Sequence, residues 1–236
     1  MEPVIGIVGA MQEEVELFTQ GLDHHKLERW AGISFSQGEL YGRQVVVCRS
    51  GVGKVNAAMT TQILIDRFGI GSLIFTGVAG GVDPHLNIGD MVISTACQQH
   101  DMDATALGFK PGEIPFAETS VFKADPFLIR LAETYQPQDH QIKVVKGIIL
   151  SGDQFVADRD RVKSLYQQFK GSCVEMEGAA VAQVCHYNRI PFLIVRSLSD
   201  KADGSAKVNF ETFTRMAAQH SYEMVCHILK QWPPHS

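Results

Sequence analysis

Two carboxylates, Glu175 and Glu177, end an apolar stretch that begins at Cys173, and Arg196, Ser199 and Asp200 follow the apolar run Phe192–Val195. Between them Ala180, Val181, Val184 and Cys185 recur at helical spacing, and Asn188 and Pro191 stop the pattern. The unbroken run 192–195 is that of a strand buried on both faces. Parallel strands of a doubly wound sheet present their carboxyl ends at one edge, where ligands bind, so these side chains would share one crevice. A further carboxylate, Glu14, follows the strand pattern Val4–Val8 and the turn Gly9-Ala10-Met11, and would reach the same edge. The first turn of a helix also favours Glu13, Glu14 and Glu16 through its dipole, which is the plainer account of any one of them. Breaking a glycosidic bond needs one carboxylic acid to protonate the leaving group and one carboxylate to activate water. Crowded carboxylates raise one another's pKa, which helps one of them to hold a proton near neutral pH. A binding site without chemistry uses the same groups, so spacing alone leaves both readings open.

The elements that must position these residues follow in order. A helix is predicted over Gln12–Gln20, closed by Gly21, and residues 23–29 read as polar and irregular. Ile33–Leu40 and Gln44–Arg49 read as strands joined by a Tyr41-Gly42 turn. Ser50-Gly51-Val52-Gly53-Lys54 opens a helix with Val55, Ala58, Met59 and Ile63 on its apolar face and Gly69 as its stop. It is not a phosphate loop, because Cys48 and Val55 stand where that motif requires Gly and Ser or Thr. Ser72–Phe75 is a strand running into the glycine-rich turn Thr76–Gly81, and Met91–Thr95 is another. His100-Asp101-Met102-Asp103 lacks a distant partner His for a metal site and reads as solvated loop, with Lys54 a solvated helix start. Residues 107–122 are irregular, and Leu107, Phe109, Ile114 and Phe116 within them suggest docking against the body or a second subunit. Asp125-Pro126 starts a helix to about Tyr135, Lys143–Leu150 is a strand, and a helix spans about Arg159–Phe169. Asn209 is expected to cap a final helix with Phe210, Phe213, Ala217, Met224 and Ile228 inside.

The 236 residues carry a net charge of -5, which argues against nucleic acid or an anionic membrane as the main partner. Hydrophobic residues make up 45% and charged ones 20%, enough for a substantial core. The five cysteines show no paired metal spacing and read as reduced, buried thiols. The N-terminus lacks a signal-peptide pattern and no apolar stretch is long enough to span a bilayer, so a cytoplasmic protein is expected. Without repeats or linkers, one domain over residues 1–236 is expected.

Six motifs stand in one order: Gly9-Ala10-Met11-x-x-Glu14, Ser50-Gly51-Val52-Gly53-Lys54, Thr76-Gly77-x-Ala79-Gly80-Gly81, Ser151-Gly152-Asp153-x-Phe155, Val174-Glu175-Met176-Glu177 and Arg196-x-x-Ser199-Asp200. Over nearly the whole chain this order resembles bacterial 5′-methylthioadenosine/S-adenosylhomocysteine nucleosidases. The resemblance implies a three-layer α/β/α fold with a central mixed, largely parallel sheet of the nucleoside phosphorylase type. It also implies a homodimer, and hydrolysis of the adenine N-glycosidic bond with no cofactor and no metal. By the same resemblance Glu14 is the base on the attacking water and Asp200 the acid at adenine N7, steered by Ser199. Glu177 and Met176 meet the ribose, Arg196 helps to hold the water and Glu14, Phe155 stacks on adenine, and the Val156 backbone reads its edge. Met11, Val52 and Phe210 wall the 5′-alkylthio pocket, which Leu107 and Pro115 of a partner subunit would close. Val78, Ala79 and Gly80 line the water side, with Val78 standing where many of these enzymes have Ser, and Gln12 replaces a frequent Glu. Glu175 is implied at the site and is equally read as a structural partner; Asp203 reads as a loop or capping carboxylate. Related phosphorylases carry an Arg in the first strand-end loop to bind phosphate. Glu13 and Glu14 in that loop repel an anion and favour water. Within enzymes the alternatives are a purine nucleoside phosphorylase or an aminofutalosine nucleosidase, and outside them a silent adenosine-binding module.

Overall fold

The computed structural model describes residues 3–202 and 206–233. Among them are ten strands and six α-helices. The first strand β1 (Val4–Gly9) enters α1 (Gln12–Gln20), which Gly21 closes with its N–H on Leu17 and Phe18 carbonyls. Next come β2 (Asp23–Trp30), β3 (Ile33–Leu40) and β4 (Arg43–Arg49), an antiparallel meander joined to β1 through β4. Residues 23–30 are therefore a strand and not the irregular segment their polarity suggests. As the terminal strand of the sheet, β2 has little core to face, and charged side chains protect its open edge. The Tyr41-Gly42 turn is as expected, with positive φ of 51° and 76° at its two central residues.

The helix α2 (Lys54–Phe68) ends at Gly69 in the left-handed conformation. Its buried face is Ala57, Thr60, Thr61 and Leu64, whereas Val55 is 77% exposed. Of the expected apolar stripe Val55 and Met59 face outward, whereas Ala58 and Ile63 pack partly buried against the core, and the smaller residues let α2 lie close against its neighbours. Strand β5 (Ile70–Gly81) absorbs the whole glycine-rich segment, which is extended backbone and not a turn. It pairs in parallel with β1 and with β10 (Phe192–Asp200), the latter over the glycines themselves: Arg196 opposite Gly77 and Asp200 opposite Gly80. Glycines here leave room for the side chains that converge above them.

Strand β6 (Met91–Gln99) runs past its expected end and pairs with the short β7 (Val121–Lys123), with β8 (Val144–Ser151) and with β10. Strand β9 (Gly171–Glu175) bridges β8 and the glycine end of β5. The succession β5–β9–β8–β6–β10–β5 consequently closes on itself, a ring of five strands within the larger mixed sheet. Helix α3 (Pro126–Glu133) is capped by the Asp125 carboxylate, and α4 (Arg159–Phe169) by that of Asp158. Helix α5 (Gly178–Asn188) packs with α2, while the long α6 (Ala206–Gln231) lies along β5 and β10 with α1 and α3 beside it. Since α6 begins at Ala206, Asn209 lies within its first turns and is not its cap. Ala217, Met224 and Ile228 are buried as expected, and Asp203 lies outside the described residues. All five cysteines are free and buried. No described helix is long and apolar enough to cross a membrane.

Candidate active site

The turn after β1 folds Glu14 back onto its own backbone. Its Oε2 accepts hydrogen bonds from the N–H groups of Ala10 (2.7 Å) and Met11 (2.9 Å), and its Oε1 accepts one from Val78 N–H (3.0 Å). The third bond joins the first strand end to β5. It also explains why Val is tolerated at position 78: the main chain, not a side-chain hydroxyl, makes the contact. Gly77 is required beneath the carboxylate, because a Cβ there would lie 2.3 Å from Glu14 Oε1. Burial raises the pKa of Glu14, opposed by the Arg196 charge and the three N–H groups.

Glu175 stands at the end of β9 with its oxygens fully engaged. They accept from Gly178 N–H (2.9 and 2.8 Å), Glu177 N–H (3.2 Å), the Ser151 hydroxyl and Arg196 Nη2 (2.5 Å). Three of these four donors organise the entry to α5 and the end of β8, so the geometry makes Glu175 an anchor. Arg196 is 1% exposed and lies with its guanidinium 4.5 Å from the Phe75 ring centroid. Its ion pair is with Glu175 and not with Glu14. Burial alone would lower its pKa, but the charges of Glu175, Glu14 and Glu177 outweigh it and raise the value.

Glu177 accepts a hydrogen bond from Gly53 N–H (2.8 Å), which ties α5 to the turn before α2. Gly51 and Gly53 take positive φ values of 84° and 99° in that turn, as its tightness requires. Burial pushes the Glu177 carboxyl up to about 8, helped by the Glu175 charge and opposed by Arg196. On β10 the Ser199 hydroxyl donates to Asp200 Oδ2 (2.9 Å) and Ala202 N–H to Oδ1 (2.6 Å), which fixes the plane of this buried carboxyl.

Glu14, Glu175, Glu177, Ser199 and Asp200 line one cavity of about 190 Å³. Met11, Val52 and Phe210 form its apolar end, and Val78, Ala79 and Gly80 its β5 wall. Phe155, Val156 and Met176 complete it, with the Phe155 and Phe210 rings edge to face at 5.7 Å. Arg196 sits behind the carboxylates and does not line it. Leu107 and Pro115 do not reach it in this chain, and Leu107 is 74% exposed.

Sequence reasoning missed a partly buried polar clamp between the loops beside the site. Lys54 Nζ bonds to Gln99 Oε1 (2.9 Å) and Asp101 Oδ1 (2.7 Å), and Asp101 Oδ2 accepts from Asp153 N–H (2.9 Å). Asp153 Oδ1 in turn accepts from Lys54 N–H (2.8 Å), closing a ring across three loops. Lys54 and Asp101 are therefore partly buried and paired rather than freely solvated, and His100 is buried beside them with Nε2 unpaired. Local sequence reads each as a polar loop residue; only the tertiary fold brings them together. Among the described residues no group of His, Cys, Asp and Glu side chains is arranged to hold a metal ion.

A narrow cavity with an aromatic rim, an apolar end and carboxylates at separate points suits a planar base joined to a sugar. Known proteins agree with that geometry. A sequence model of the phosphorylase superfamily matches residues 4–230. The 5′-methylthioadenosine/S-adenosylhomocysteine nucleosidase of Bacillus cytotoxicus is 44% identical over 228 residues, 96% of this chain and 98% of that one. The crystal structure of the Colwellia psychrerythraea 34H nucleosidase of the same name, in complex with adenine, superposes with a TM-score of 0.93 at 39% identity, covering 98% of this chain and 96% of that one. The Neisseria meningitidis nucleosidase in complex with methylthio-immucillin-A gives 0.92 at 38%, covering 97% and 99%. The order of motifs, the mixed sheet and these relatives place the chain in one family: it belongs to the phosphorylase superfamily, among the 5′-methylthioadenosine/S-adenosylhomocysteine nucleosidases.

Proposed function

We propose that the chain hydrolyses the N-glycosidic bond of 5′-methylthioadenosine and S-adenosylhomocysteine, releasing adenine and the 5′-substituted ribose. 5′-Deoxyadenosine fits the same apolar end. The observation that carries the reading is the separation of buried carboxylates around one cavity. Glu14 is fixed by three N–H groups at one strand end, Glu177 by Gly53, and Asp200 by Ser199 and Ala202 at another.

In this reading Asp200 is the general acid. It delivers a proton to adenine N7, so that the base leaves neutral and the ribose carries oxocarbenium character. Ser199 holds the acid in plane. Glu14 takes a proton from the water that attacks the anomeric carbon, and its raised pKa makes it a stronger base than a solvated glutamate. Glu177 accepts hydrogen bonds from the ribose hydroxyls, which stabilise its charged form as substrate enters. Phe155 covers the adenine, the Val156 backbone meets its edge, and Met176 lies against the sugar. Glu175 and Arg196 act as positioning residues: the pair fixes the entry to α5 and places one positive charge beneath three glutamates. An anionic nucleophile such as phosphate would meet Glu14 where a phosphorylase offers a cation.

A homodimer belongs to the proposal, in which the segment around Leu107–Pro115 of one subunit closes the 5′ end of the other. Leu107 and Phe116 are 74% and 94% exposed in the single chain, and Val52 at the cavity mouth is 48% exposed. The five buried free thiols favour the reducing cytoplasm, and the products suit methionine salvage and removal of the methyl-cycle by-product.

The test is to incubate the protein with methylthioadenosine, with and without phosphate, and to follow adenine and methylthioribose. Equal release in both is expected, with Glu14→Gln and Asp200→Asn each reducing kcat by several orders of magnitude and leaving the fold intact. A strict phosphate requirement, turnover of aminofutalosine alone, or binding without turnover would each point to another activity.

A further inference from the structure

A second groove, of about 750 Å³, opens beside the nucleoside cavity and shares Ala10, Met11 and Val52 with it. Two of the shared residues, Met11 and Val52, are walls of the 5′ end, so the groove begins where the substituent on the 5′ carbon leaves the nucleoside. We infer that this groove is the subsite for the amino-acid tail of S-adenosylhomocysteine, with Arg49 and Arg29 receiving its carboxylate; the inference rests on the nucleosidase reading above.

Strand register builds the groove. Arg29 on β2 lies opposite Ser34 on β3, Ser36 on β3 lies opposite Val47 on β4, and Arg49 lies opposite Gly9 on β1. With a side-chain period of two, Arg29, Ser34 and Arg49 fall in one row across three strands and on one face. All three line the groove, and Gln12 and Glu13 from the start of α1 line its other side. Two guanidinium groups facing one carboxylate complement an α-amino acid, which offers one carboxylate and one ammonium. Protection of an open sheet edge accounts for a charge on β2, the terminal strand. It does not account for Arg49, which ends an interior strand flanked by β1 and β3. Among the described residues neither guanidinium is engaged by a carboxylate; Arg29 Nε donates only to the Ser34 hydroxyl (3.2 Å). Four bonds separate the 5′ sulfur from the carboxylate carbon of the tail, on the order of one strand spacing of about 4.8 Å. The methyl group of methylthioadenosine stops at Met11 and Val52. The longer tail passes them and meets the arginine row, where the planar fork of Arg matches a carboxylate in two-point contact.

Steady-state rates on three substrates test this. They are S-adenosylhomocysteine, methylthioadenosine, and the 5′-(3-aminopropylthio) analogue, which keeps the ammonium and lacks the carboxylate. For Arg49→Gln, kcat/KM on S-adenosylhomocysteine is expected to fall about tenfold, the scale of one charge-assisted hydrogen bond, and further with Arg29→Gln added. The loss should lie in KM, with the other two substrates within about twofold of the unaltered protein and the S-adenosylhomocysteine rate alone declining steeply with salt. Equal losses on all three substrates, or none on S-adenosylhomocysteine, would overturn the subsite while the nucleosidase reading stood. Failure of the unaltered protein to turn over any of them would overturn both.

Discussion

Gly77 offers the sharpest test of the site, because it lies where β5 passes directly beneath the water-activating carboxylate. In Gly77→Ala the new Cβ would sit 2.3 Å from Glu14 Oε1, 2.7 Å from its Cδ and 3.1 Å from Arg196 Nη1. Ordinary contact begins near 3.4 Å, so the carboxylate must retreat by about 1.1 Å. It cannot do so freely. Moving Oε1 stretches the 3.0 Å bond from Val78 N–H, and the short bonds from Ala10 and Met11 hold the other oxygen in place. Losing one hydrogen bond to a charged group costs about 1.5–3 kcal/mol, and displacing a reacting group by about 1 Å costs on the order of 100-fold in rate. We therefore expect kcat/KM on methylthioadenosine to drop at least about 100-fold, near 2.7 kcal/mol at 1.36 kcal/mol per decade. Continuous adenine release measures this, with circular dichroism to verify the fold. Gly81→Ala is the control: its Cβ would press only on the movable end of Leu198 at 3.2 Å, with the Asp200 carbonyl oxygen at an ordinary 3.6 Å, and lies away from Glu14. Activity of Gly77→Ala within a few-fold of the unaltered protein, or an equal loss in Gly81→Ala, would refute the account of Glu14.

Glu177 should make the unliganded protein less stable as pH rises. Its folded pKa of about 8 exceeds the ordinary carboxyl value of 4.5, so between these values the folded chain holds a proton that the unfolded chain releases. Glu177→Gln keeps an acceptor for Gly53 N–H, and its Tm relative to the unaltered protein should climb from pH 5 to 8; a constant difference would contradict the buried-acid description. Arg196→Met leaves Glu175 buried without its ion pair and should lower unfolding stability by about 3–5 kcal/mol in urea titrations. Adding Glu175→Gln should recover part of that loss, and no recovery would mean that the pair is not the source.

Much of this architecture could be read from residue order, because the relevant signals are local. Gly21, Tyr41-Gly42, Gly69 and Asp125-Pro126 mark ends and turns by their own backbone chemistry, and the structure places each where expected. The errors lie where tertiary context decides. Residues 23–29 look irregular because an edge strand needs no buried face, and 76–81 look like a turn because glycine carries no sign of the strand beside it. The outward placing of Val55 and Met59 on α2 follows from packing by Ala57, Thr60 and Thr61, which hydropathy ranks below them. Within the site, chemistry-bearing side chains were legible as motifs, but their donors were not. Backbone N–H groups of Ala10, Val78 and Gly53 have no sequence signature, and the partnership of Lys54, Asp101 and Asp153 spans residues far apart in the chain.

The closed succession of five strands also governs how the molecule comes into being. Its closing seam pairs Phe192 with Leu73 and Asp200 with Gly80, partners separated by more than half the chain. Such distant pairings carry a large loop-closure cost before any contact repays it, which slows folding. On the ribosome the N-terminal strands emerge first, and one edge of β5 waits unpaired until β10 has been made. An unpaired strand edge invites pairing with other chains. The edge left waiting runs from Leu73 to Gly80, and in its second half, Gly77-Val78-Ala79-Gly80, two glycines lower the β-propensity and leave few apolar side chains to stick by. The glycines that admit the catalytic carboxylates into the finished protein thus also make that half of its unfinished edge a poor seed for aggregation.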